Sequence, residues 1–182
     1  MMLQRTIDSP FSEGKAVLME QQSEMDYRGE RYSYLHRNYR CEDTGIEFTT
    51  DEMDFENMEQ IYTQYRTNHG IPSPAELKEI RTMYGLSAAK MSEILGLGAN
   101  QYRLYEEGQM PSEAIGKMLQ SIRTPAVFLG YVEGCKNQMS QLDYEKLCTK
   151  INKTFIIEIK RKPTLAWFHE LFSPRLIGKV AL

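Results

Sequence analysis

Gly70, Pro72 and Pro74 fall within five residues of one another, in Gly70-Ile71-Pro72-Ser73-Pro74, and no helix or central strand continues through such a stretch. The chain must therefore fold separately on either side of it. Residues before the break alternate in character and are rich in tyrosine. Residues after it are cut by serine, glycine and proline into short segments of helical period.

Upstream, Lys15 to Met25 and Arg31 to Arg40 are two extended runs around Tyr27-Arg28-Gly29-Glu30, where Gly29 can supply the positive φ of a tight turn. This predicts a β-hairpin. Tyr32, Tyr34 and His36 lie on one face of its second strand and Leu35, Arg37 and Tyr39 on the other. A short third strand is expected at Ile46-Glu47-Phe48. Thr49 or Thr50 can cap a linking helix over 51–66, with Asp51, Glu52 and Asp54 at the positive end of its dipole. Phe55, Met58, Tyr62 and Tyr65 give that helix an apolar stripe, expected to face a core or a second copy.

Two turns frame the hairpin, Ser9-Pro10-Phe11-Ser12 and Cys41-Glu42-Asp43-Thr44. In a zinc ribbon these places carry two Cys-x-x-Cys knuckles, and the metal stands in for the core so few residues cannot build. Here the four positions are Ser9, Ser12, Cys41 and Thr44. Neutral hydroxyls are poor Zn²⁺ ligands, so the lobe is expected to hold no metal and to fix its turns by hydrogen bonds from serine and threonine to the backbone.

Charge narrows the choice of partner. Residues 1–70 carry seven basic and fourteen acidic side chains, residues 73–121 five and six, and residues 136–182 nine and four. The acidic first part repels phosphate, so contact with nucleic acid is expected on the later segments, while an acidic face also suits a basic protein.

After the break, Ser73-Pro74 opens a helix with Leu77, Ile80, Arg81 and Tyr84, closed by Gly85. Ser87 caps a second, with Ala88, Met91, Ile94 and Leu95 apolar, closed by Gly96-Leu97-Gly98. A third, Ala99 to Glu107, follows at once and stops at Gly108. Two short helices joined by a glycine turn make a helix-turn-helix. Tyr102 and Tyr105 share one face of the third helix and are expected inside, leaving Asn100, Gln101, Arg103 and Leu104 outside. Asn and Gln can bond bidentately to adenine and Arg to guanine, and the N-terminal residues of a recognition helix reach base edges. With Ser87 and Lys90 at the start of the second helix, Asn100, Gln101 and Arg103 are the candidate DNA-binding residues.

The runs Leu77-Lys78-Glu79-Ile80-Arg81 to Gly85-Leu86-Ser87, Met91-Ser92-Glu93-Ile94-Leu95-Gly96 and Tyr105-Glu106-x-Gly108 resemble the XRE/Cro-type helix-turn-helix. With the preceding two-knuckle ribbon, hairpin and linking helix, residues 9–135 resemble the MqsA (YgiT-type) antitoxin family. The resemblance implies a toxin-binding N-terminal lobe and a dimeric DNA-binding domain that represses its own operon. It departs from the pattern at Ser9, Ser12 and Thr44, where the family has zinc-binding cysteines. It departs also at Ala88, where XRE sequences usually have Gln, and at Leu104, where the family's namesake has Arg; Asn100 matches.

Beyond this, residues 113–121 and 125–133 are expected to complete a five-helix domain. Gln138 to Ile151 reads as a helix, Thr154 to Lys160 as a strand, Lys160-Arg161-Lys162 as a solvated basic cluster, and Leu165 to Phe172 as an apolar helix bearing Trp167, Phe168, Leu171 and Phe172.

No stretch approaches the roughly 18 to 20 apolar residues of a membrane span, no secretory leader is seen, and Cys41, Cys135 and Cys148 form no disulfide framework, so a cytoplasmic protein with no membrane partner is expected. No phosphate loop, GxSxG elbow or HExxH helix is present, and Cys41 and His36 make no aligned pair, so neither enzyme activity nor a cofactor is expected. The expected fold is α+β: a β-hairpin/ribbon lobe over 1–50, a linking helix and hinge over 51–70, a five-helix XRE-type helix-turn-helix domain over 71–135 and a basic C-terminal extension over 136–182. The expected function is operator binding by a homodimer, on a palindrome of double-stranded DNA. The alternative is a protein-interaction module, toxin-neutralising or scaffolding, with DNA binding weak or lost.

Overall fold

The structure is a computed structural model that describes residues 5–161. The fold is α+β, with a four-stranded antiparallel sheet followed by seven α-helices among the described residues. Two compact units divide after Ile71.

In the first unit the strands run in sheet order β1 (Thr6–Asp8), β2 (Lys15–Tyr27), β3 (Glu30–Cys41) and β4 (Glu47–Phe48). β2 and β3 pair from Ala16↔Cys41 to Tyr27↔Glu30. Their two-residue turn holds Arg28 at φ 52° and Gly29 at φ 86°, positive at both centres as a type I′ turn requires. β1 adds to one end of β2, Thr6 against Val17, and β4 to one end of β3, Tyr39 against Phe48. Ala16, Tyr39 and Met53 form a small buried cluster.

Helix α1 (Asp51–His69) begins at Thr50, whose Oγ1 accepts the Met53 N–H, and ends at Gly70 in the left-handed region, φ 61°. β4 covers only the last residues of β3, and the rest of that strand edge would leave main-chain groups unpaired. Helix α1 supplies side-chain amides there. The Arg37 N–H donates to Asn57 Oδ1 (3.0 Å) and Asn57 Nδ2 donates to the Arg37 carbonyl (2.9 Å). Gln60 forms the same pair of bonds with Leu35, both 3.0 Å, and Gln64 Nε2 donates to the Ser33 carbonyl (2.9 Å). The spacing 57, 60, 64 is one face of a helix, and 33, 35, 37 is one edge of a strand. This pairing corrects the phase expected for the helix. The buried positions are Met53, Asn57, Ile61, Tyr65 and Arg66; of the expected stripe Tyr65 is buried and Met58 and Tyr62 are half-buried, whereas Phe55 is 69% exposed, because the strand edge selects the face that can hydrogen-bond to it.

The second unit holds α2 (Pro74–Tyr84), α3 (Ala88–Ile94), α4 (Gln101–Glu106), α5 (Glu113–Ser121), α6 (Pro125–Gly134) and α7 (Gln141–Arg161). Its core joins Leu77, Ile80 and Tyr84 of α2, Met91 and Ile94 of α3, Tyr102 of α4, Leu119, Phe128 and Val132 of α5 and α6, and Leu147 and Ile151 of α7. Tyr84 stacks on Phe128 at 4.1 Å between ring centroids and donates its hydroxyl proton to the Ile122 carbonyl at 2.6 Å.

Two expectations are corrected in this unit. The strand over Thr154–Lys160 does not form; one helix runs through Arg161. Neither glycine nor proline interrupts the sequence between Ser140 and Pro163, and Leu147 and Ile151 tie the first half of α7 into the core, so a short β-branched alternation does not outweigh helix propagation. The third helix starts at Gln101, two residues later than expected, because Asn100 takes the left-handed conformation, φ 63°. The Lys160-Arg161-Lys162 side chains, and the apolar helix expected over 165–172, lie outside the described residues.

Candidate nucleic-acid interface

The outer surface of α4 is set by what holds its inner surface. Tyr102 is fully buried, donates its hydroxyl proton to the Leu77 carbonyl (2.9 Å), and has its N–H bound to the hydroxyl of Ser92 on α3 (3.0 Å). Burial pushes the Tyr102 hydroxyl well above the usual phenol range, so it remains a donor. Tyr105 is buried beside it. At the far end of α4, Glu106 receives a two-pronged bond from Arg81 of α2, Nε to Oε1 at 2.6 Å and Nη2 to Oε2 at 3.1 Å, and Arg81 Nη1 also donates to the Leu86 carbonyl. Both charges are largely shielded, and the planar fork fixes α2 and α4 in one register.

This anchoring leaves Gln101, Arg103 and Leu104 on the outside, with Leu104 36% exposed. Arg103 Nε stands 3.8 Å from Glu107 Oε1, with both side chains more than half exposed. Gln101 Nε2 donates to Gln109 Oε1 at 2.9 Å. Asn100 is exposed and sits at the entry to α4 rather than within its first turn. Of the residues expected on α3, Ser87 accepts the Lys90 N–H as its helix cap (3.2 Å), and the Lys90 ammonium pairs with Glu93 at 2.7 Å. Gln101 and Arg103 therefore share the outer surface of α4, while Ser87 and Lys90 make local bonds at the start of α3. Sequence periodicity does not reach Gln109, which lies past the end of α4, whereas the Arg103–Glu107 pair has the i,i+4 spacing of the helix expected over Ala99 to Glu107.

In the first unit the four knuckle positions converge on one sulfur. Cys41 is 1% exposed, and Ser12 Oγ lies 3.4 Å from its Sγ. Each hydroxyl also closes its own turn: Ser9 accepts from the Phe11 N–H (3.1 Å), Ser12 from Gly14 (3.1 Å) and Thr44 from Ile46 (3.3 Å). An oxygen that accepts from the backbone still has a proton to give. Hydrogen bonds from Ser12 first, then Ser9 and Thr44, lower the Cys41 thiol to about 6 against the opposing effect of burial. Among the described residues, no group of three or more His, Cys, Asp or Glu side chains is arranged to hold a metal ion. Nor, among them, is any helix long and apolar enough to cross a membrane.

No family model matches this sequence, and no curated protein matches it.

Proposed function

We propose that this chain is a DNA-binding transcriptional regulator in which α3 and α4 act as an XRE-type helix-turn-helix, and that it is an MqsA-like antitoxin repressing its own operon as a homodimer. The observation that carries the reading is the outer surface of α4. Gln101 and Arg103, two residue types that read base edges, stand outward on a helix whose other side is pinned by Tyr102, Tyr105 and the Arg81–Glu106 fork.

In a two-fold dimer the recognition helices enter successive major grooves about 34 Å apart. Selection from a pool of random duplexes tests this. The reading expects an inverted repeat with half-sites about one turn apart; a pool that never converges refutes it. A second reading has one observation in its favour, the seven-charge acidic excess of residues 1–70, which suits a basic protein partner such as a toxin on the first unit. Retention of a basic partner, with no retention on DNA, is its expected signature.

A further inference from the structure

We infer that Gln109 is a positioning residue that aims Gln101 at an adenine, an assignment that rests on the DNA-binding reading and makes it specific to one base. The two glutamines are eight residues apart, Gln101 as the first residue of α4 and Gln109 beyond its end. Past the helix, Gly108 turns the chain at φ 108°, and the Gln109 N–H donates to the Leu104 carbonyl at 2.9 Å. The backbone of Gln109 is thereby held against the last turn of α4, and its side-chain oxygen reaches back to accept from Gln101 Nε2.

That bond does two things to Gln101. It restricts a side chain that otherwise samples many rotamers. It also ties the sense of the Gln101 amide to that of Gln109, because a flip of Gln101 alone would set two carbonyl oxygens face to face. With one N–H engaged, Gln101 keeps a carbonyl oxygen and a second N–H, an acceptor beside a donor. In the major groove adenine presents N7 as acceptor beside the N6 amino donor, the complementary pair. Guanine offers two acceptors, cytosine a donor, and thymine an acceptor with a methyl group, so none of them matches both groups.

The test uses the full chain and a duplex it selects, with each adenine of the half-site replaced in turn by 7-deaza-adenine, which lacks the N7 acceptor. The wild-type protein should lose roughly tenfold in affinity at one adenine, within the range of a bidentate contact. Gln101→Ala should bind the normal and substituted duplexes alike. Gln109→Ala should lose most of the discrimination, to about twofold, with affinity for a random duplex and thermal midpoint unchanged. The double variant should be no worse than Gln101→Ala. Gln109→Glu, which keeps the acceptor, should retain the discrimination while binding every duplex less tightly.

Wild-type discrimination in Gln109→Ala would overturn the assignment, as would losses that multiply in the double variant. An equal fall on all duplexes in Gln109→Ala would make Gln109 a phosphate contact and also overturn it. Weak and equal binding of every duplex by the wild-type protein would overturn the DNA-binding reading itself, and this assignment with it.

Discussion

Replacing Asn57 by alanine separates two accounts of how α1 is held in the first unit. Asn57 is 5% exposed and bonds both main-chain groups of Arg37, at 3.0 and 2.9 Å. Alanine leaves an N–H and a carbonyl without partners on a strand edge that β4 does not reach. Each such loss costs about 1–3 kcal/mol when buried and less where water can enter, so a total of about 2–4 kcal/mol is expected. Native-state hydrogen exchange of the β2–β3 ladder reads it directly, as protection lowered by roughly 30- to 700-fold. Phe55→Ala is the comparison. A side chain 69% exposed should cost about 0.5 kcal/mol or less. If instead Asn57→Ala leaves protection unchanged and Phe55→Ala removes about 3 kcal/mol, the helix packs by its aromatic stripe and the amide account is wrong.

Other expectations follow from the same contacts. The lowered thiol of Cys41 makes folding stability pH-dependent: the contribution is full above the ordinary thiol range, falls as pH drops through it, and is gone below about 6. With Cys135 and Cys148 replaced by serine, thiolate absorbance should titrate near 6, and Ser12→Ala should move the midpoint upward; a midpoint in the ordinary thiol range would refute the hydroxyl cluster. Gly85 caps α2 at φ 59°, and an added Cβ would meet the Lys150 ammonium, so Gly85→Ala should destabilise the second unit by about 1–2 kcal/mol in urea unfolding. Lys150 can swing aside, so an unchanged midpoint would mean that the left-handed conformation carries no penalty here. Arg103→Ala should weaken operator binding by about 1–3 kcal/mol if the guanidinium reads a base, whereas Glu107→Gln, which frees Arg103 from its acidic neighbour, should tighten it; fluorescence anisotropy measures both.

What could be read from the sequence divides along a physical line. The β2–β3 hairpin is legible because Arg28-Gly29 is a local turn signal between alternating runs, and the ends of α2 are legible because Ser73-Pro74 and Gly85 act within one turn of themselves. The inward placement of Tyr102 and Tyr105 follows from their spacing alone. The phase of α1 is not legible, because it answers to unpaired groups of Ser33, Leu35 and Arg37 some twenty to thirty residues away in sequence. The end of α7 is misread for the same reason: local alternation at Thr154–Lys160 favours a strand, while the core contacts of Leu147 and Ile151 carry the helix onward. At the candidate interface, Gln101 and Arg103 are visible as residue types and Glu107 follows Arg103 at helical spacing, but Gln109, past the end of α4, emerges only from the fold. The turns around Cys41 follow the local reading: Ser9, Ser12 and Thr44 each accept from a backbone N–H two residues on, which closes its own turn.

The central claim is that α4 reads DNA, and one measurement meets it head-on: fluorescence anisotropy with duplexes tiled across the sequence upstream of the protein's own coding region, at two salt concentrations and against a random duplex. Tight binding to one tile, at least a thousandfold above the random duplex on the scale of specific regulators (~10³ or more) and steeply weakened by salt, is the predicted result. Binding that is weak and equal on every duplex would contradict it, leaving α3 and α4 a structural element and the acidic first unit the place to seek a partner.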